Sequence, residues 1–195
     1  MSKISREISV KGTVQGVGFR PFVYRKATSH GMKGRVRNTG GEVEIVLEGS
    51  EDDYERFLKE LKEDSPPLAS IESLKESEIP EQSYHEFEIV RSEHSSKDVI
   101  FPPDIAICEK CAEEVFDPSA RRYQFFLNSC TDCGPRFSVV NDLPYDRENT
   151  SFREFPLCEN CREEYDNPSD RRYYAQTTCC SDCGPRSEEH TSELQ

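Results

Sequence analysis

The sequence predicts an α+β chain in two parts, and three observations carry that reading. Residues 1–91 contain no cysteine and alternate strand-like with helix-like apolar patterns. All nine cysteines fall between Cys108 and Cys183. The cysteine-bearing region also repeats itself at an interval of fifty residues. A chain of 195 residues with 34% hydrophobic content is thin for one continuous core, so two small units are expected: 1–91, then 105–185 after a polar linker over 92–104.

The first strand starts near Ile4, where Arg6, Ile8, Val10 and Gly12 fall on one side of an alternating segment, and runs toward a turn at Gly16 and Gly18. From Phe19 to His30 the apolar residues Phe19, Phe22, Val23 and Ala27 recur at helical spacing, and Pro21 is tolerated because it sits in the first turn. Asn38-Thr39-Gly40-Gly41 joins two extended runs as a hairpin, the second alternating Val43, Ile45 and Leu47 with Glu42, Glu44, Val46 and Glu48. Ser50 to Asp53 can cap a second helix carrying Tyr54, Phe57, Leu58 and Leu61 on one face, and Pro66-Pro67 forbids its continuation. Extended segments near 71–79 and 86–91 complete β-α-β-β-α-β. That order is the split-βαβ, ferredoxin-like plan, with an antiparallel sheet and both helices on one face.

With 25 basic against 38 acidic residues the formal charge is −13, which repels phosphodiester backbones and argues against a nucleic-acid partner. No apolar run approaches the roughly 20 residues of a membrane span, and the start, MSKISREISV, lacks an apolar signal core. The expectation is a cytoplasmic protein without a membrane partner.

In the second region Cys108, Cys111, Cys130 and Cys133 recur as Cys158, Cys161, Cys180 and Cys183, each set reading C-x2-C-x18-C-x2-C. Companions recur with them: Arg121-Arg122-Tyr123 as Arg171-Arg172-Tyr173, and Asp132 to Arg136 as Asp182 to Arg186. Paired cysteines in a chain without an export signal point to metal rather than disulfides. Four thiolates suit tetrahedral Zn(II) and leave no open position, so the reading is two structural Zn(II) per chain, held by 108–133 and 158–183. Eight thiolates outweigh two dications, so the metals do not cure the acidity. They replace a core instead. Pairing within each repeat is the simplest arrangement; spacing alone also allows pairs from different repeats to share a metal. Cys179 lies outside the spacing and is read as a bystander. The two arginine pairs are expected to meet acidic neighbours within their own modules.

Val14, Gln15, Gly16, Val17, Gly18, Phe19 and Arg20 join the first strand to the first helix. A loop with two glycines there can fold its amides around a phosphate at the positive helix end, and Arg20 can act as a two-pronged cationic clamp. A glycine turn alone would be weak evidence. The whole string is more specific: Gly12 to Arg20, then Gly34 to Thr39 and Gly41 to Ile45, resembles the acylphosphatase family over about residues 4–91. That resemblance implies that Arg20 binds the phosphate and that Asn38 positions the attacking water. It agrees with the fold order above and makes Arg20 and Asn38 the expected catalytic residues.

An acylphosphatase-like unit followed by two four-cysteine modules is similar to the N-terminal part of the HypF family, the carbamoyltransferases of [NiFe]-hydrogenase maturation. The motifs that carry the likeness are Gly18 to Val23, Cys133 to Phe137, Pro144 to Arg147 and Phe155 to Cys158. The resemblance implies carbamoyl phosphate as substrate, a HypE-like partner, and further nucleotide-binding and transferase domains beyond this sequence. Tyr174 stands where a histidine is expected, which puts a polar role for that position in doubt. Residues 186–195 read as a non-native tail. The rival function is a zinc-containing module that binds a partner through a non-catalytic phosphate loop.

Overall fold

The structure is a computed structural model describing residues 3–92 and 103–186. The linker expected over 92–104 falls outside the described residues except at its ends, as does the tail expected over 186–195 except Arg186.

The first part runs β1 (Lys3–Thr13), α1 (Phe19–Ser29), β2 (Lys33–Thr39), β3 (Glu42–Ser50), α2 (Glu51–Glu63), β4 (Ser70–Glu78) and β5 (Phe87–Ile89). They form one five-stranded sheet in the order β4-β1-β3-β2-β5. Alternation does what the period-2 pattern requires: Ile8 lies opposite Ile45, Val10 opposite Val43 and Val36 opposite Ile45. These side chains share one buried cluster with Phe19, Phe22, Val23 and Ala27 of α1 and Tyr54, Phe57 and Leu61 of α2. Ser50 caps α2, its hydroxyl accepting from the Asp53 amide at 3.2 Å, and three acidic residues fill that helix's first turn.

Two details differ from the sequence expectation. The sheet is mixed rather than antiparallel, because β5 pairs parallel to β2 through Gly34–Phe87, Arg35–Glu88 and Val36–Ile89. Glu48, which belongs to the set alternating with the core residues of that strand, is nonetheless buried, since its carboxylate accepts the backbone N–H groups of Gln82, Ser83 and Tyr84 and so pins the loop between β4 and β5.

The second part has little regular structure beyond α3 (Glu109–Phe116), α4 (Glu159–Asp166) and short 3-10 turns. Cys108 and Cys158 stand at the N-caps of α3 and α4, and Cys111 and Cys161 follow in their first turns, fully buried. Among the described residues no helix is long and apolar enough to cross a membrane.

Candidate functional site

The eight predicted metal ligands assemble as two separate groups. Cys108, Cys111, Cys130 and Cys133 form one, and Cys158, Cys161, Cys180 and Cys183 the other, with the ligand atoms of each group within 4.8 Å of one another. A tetrahedral zinc with Zn–S bonds of about 2.3 Å sets its sulfurs about 3.8 Å apart. The Sγ separations are 3.6 Å for Cys108–Cys130, 3.9 Å for Cys130–Cys133, 3.8 Å for Cys158–Cys180 and 3.9 Å for Cys180–Cys183. The residues therefore fit the metal, and ligands group within each repeat rather than across them. Cys179 belongs to neither group; it is buried with Phe125 and Phe152.

The arginine pairs correct the sequence expectation, because they cross between modules. Arg121 donates to Cys161 Sγ at 3.1 Å, and Arg122 bonds the Glu164 carboxylate and the Cys179 carbonyl. Fifty residues on, Arg171 donates to Cys111 Sγ at 3.0 Å, and Arg172 bonds the Glu114 carboxylate and the Ser129 carbonyl. Each module thus supplies the cations that neutralise the other's thiolates and carboxylate. Burial alone would push Glu114 and Glu164 up. The bonds from Arg172 and Arg171, and from Arg122 and Arg121, outweigh it and hold both carboxyls at about 2.

The phosphate-type loop lies at the junction of the two parts. Val14, Val17 and Phe19 point into the core and hold the loop down, while Gly16 and Gly18 adopt φ of 72° and 76°. Among the described residues, no hydrogen bond takes up the amide N–H groups of Gln15, Gly16, Val17, Gly18, Phe19 or Arg20. The metal-bearing part packs directly on this loop. A side chain at Gly16 would meet Pro135 at 2.5 Å and Tyr145 at 3.0 Å, and one at Gly18 would meet Thr131 at 3.0 Å.

Arg20 is buried, and its guanidinium spans both parts. Nη1 donates to Ser92 Oγ at 3.2 Å; Nη2 donates to Asp146 Oδ1 at 2.8 Å and to the Tyr145 carbonyl at 3.3 Å. Burial pushes the Asp146 carboxyl up, but the Arg20 charge and the bonds from Ser92 and Arg20 more than offset it, leaving a net downward shift. Both residues line a cavity of about 450 Å³ whose wall also carries Arg91, Arg153, Arg162 and Tyr174. A concentration of guanidinium groups in an acidic chain favours an anion there.

Asn38 sits on β2 opposite Val43, on the face that carries the core, fully buried and with both carboxamide atoms unpartnered among the described residues. Gln15 is buried and unpartnered in the same way. Neither lines the cavity beside Arg20. Tyr174 does have a polar contact, its hydroxyl donating to the Ile89 carbonyl at 3.3 Å, and it stacks on Tyr165. Sequence reasoning gave no role to Asp146, although Pro144 to Arg147 stood out as a motif.

A model of the acylphosphatase family matches residues 6–89, and one described as the HypF finger matches residues 107–140 and 157–188. An acylphosphatase of Bacillus pumilus is 42% identical over 78 residues, covering 40% of this chain and 86% of that protein. The chain belongs to the acylphosphatase family. Its two parts together correspond to the N-terminal region of HypF. A probable carbamoyltransferase HypF of Methanocaldococcus jannaschii is 50% identical over 150 residues, covering 75% of this chain and 20% of that protein. The crystal structure of full-length HypF in the phosphate- and nucleotide-bound form superposes with a TM-score of 0.88 at 43% identity, covering 95% of this chain and 25% of that one. The chain thus spans about a fifth of the length of the curated HypF relatives it matches.

Proposed function

We propose that this chain binds an acyl phosphate, carbamoyl phosphate foremost, in the loop from Val14 to Arg20 and hydrolyses its acyl–phosphate bond. One observation carries the reading: six consecutive amides, Gln15 to Arg20, without hydrogen-bond partners among the described residues, beside a buried guanidinium. Donors gathered in this way at the positive end of α1 suit an oxyanion. Two anionic oxygens can be met by amides and a third by the Arg20 charge. The carboxamide of Asn38 offers an acceptor for a water proton without titrating, which suits a water-orienting role. An acyl phosphate already carries a good leaving group, so holding the reactants in line and neutralising charge are the main tasks.

The HypF-type fingers would bind two Zn(II) per chain, supplying structure rather than chemistry, since four thiolates close the coordination sphere. On this reading the chain is the N-terminal part of a carbamoyltransferase of [NiFe]-hydrogenase maturation. Hydrolysis here would supply the carbamoyl group from which the metal centre's cyanide ligand is made, with a HypE-like protein as downstream acceptor and the cytoplasm as the site of action. Phosphate release from carbamoyl phosphate and acetyl phosphate tests the proposal. Arg20→Ala should lower turnover by about a hundredfold or more with the fold intact. A folded, zinc-loaded chain with no turnover would favour the rival partner-binding module.

A further inference from the structure

Resting on the reading of the loop as a phosphate site, we propose that the site is built by both halves of the chain, and that Asp146, from the segment joining the two metal modules, is a positioning residue for Arg20.

Arg20 is the loop's charged member, yet the groups that fix its guanidinium come from elsewhere. Asp146 and the Tyr145 carbonyl take both hydrogens of Nη2, and Ser92 takes one of Nη1. Nε has no hydrogen-bond partner among the described residues and, with the remaining Nη1 hydrogen, stays available to an anion. A flexible arginine loses rotamer freedom on capturing phosphate; one already held at three points does not, so binding starts from an ordered clamp. The side chains of Arg20 and Asp146 are 8% and 17% exposed, so the guanidinium needs a counter-charge whether or not phosphate is present.

The same segment and the first module also shape the loop. Pro135 and Tyr145 abut Gly16, and Thr131 abuts Gly18. Thr131 and Pro135 flank Cys133, a ligand of the first cluster. Asp146 is held in place through its neighbour Arg147, which donates to the Gln176 and Thr178 carbonyls of the second module at 2.8 and 2.9 Å and to the Phe155 carbonyl of the joining segment at 2.8 Å. The finger modules thereby act on the phosphate site through Asp146 without touching the substrate.

The test is inorganic phosphate binding to the full chain by calorimetry, with zinc content and melting temperature recorded alongside. Asp146→Asn should weaken phosphate by about tenfold or more while keeping its zinc. In an Arg20→Ala background the same change should have no further effect, whereas a merely structural role would add its full cost again. Should Asp146→Asn not fold, Asp146→Glu keeps the counter-charge but moves its oxygens by one methylene, and an intermediate loss is expected. Wild-type or tighter phosphate binding by the folded Asp146 variant, with Arg20→Ala still defective, overturns the positioning role and leaves the phosphate reading intact. Full phosphate affinity in Arg20→Ala would instead sink that reading.

Discussion

Residues 3–92 bury one apolar cluster that runs from Ile8 to Phe87, whereas residues 103–186 bury two clusters of three, and four of those six residues are cysteines. The first half owes its fold to ordinary transfer of apolar surface, with each strand and helix contributing a face. The second has too few such faces and substitutes thiolate clusters and arginine–carboxylate pairs exchanged between modules. The difference teaches where each half is vulnerable. One yields to cavities and lost caps, the other to loss of metal or of a single guanidinium.

The largest expected effect is metal removal. Structural zinc contributes on the order of 10 kcal/mol to folding, so chelation should unfold residues 103–186 and leave the sheet of the first half intact. Hydrogen exchange would read this as lost protection in α3 and α4 with protection kept in β1 and β3. Unfolding of both halves together would break the comparison.

Next comes Arg172→Ala. It removes one of the two guanidinium partners that hold Glu114 at about 2, leaving Arg171, together with a bond to the Ser129 carbonyl of the other module, for a cost of about 2 kcal/mol. Native mass spectrometry after mild acid should find the variant losing bound metal more readily than wild type. Loss confined to the second cluster would mean that the modules are not coupled. The smallest is Ser50→Ala, which deletes the α2 cap and should lower the melting temperature of the first half by the equivalent of about 1 kcal/mol without altering zinc content.

Much of the first half was legible in the sequence because local periodicity carries it. Val43, Ile45 and Leu47 announce a strand, and Tyr54, Phe57 and Leu61 announce a helix, before any tertiary contact is known. The parallel pairing of β5 was not legible, since Phe87–Ile89 is three residues long and carries no register signal. Cysteine spacing named the eight candidate ligands but left open whether they group within or across repeats; the structure brings them together within each repeat. Spacing could not give the arginine exchange, because a duplicated sequence offers Arg122 a matching glutamate in both modules, Glu114 and Glu164, and only the packing selects the distant one. The junction was the least legible. Asp146 is 126 residues from Arg20, and no local pattern links a carboxylate to a guanidinium at that range.

The most direct measurement is an amide chemical-shift titration of the folded, zinc-loaded chain with inorganic phosphate. The account predicts saturable shifts at Gly16, Gly18 and their neighbours from Gln15 to Arg20, abolished in Arg20→Ala. Saturable phosphate binding that leaves those amides unmoved, with shifts clustered elsewhere, would contradict it.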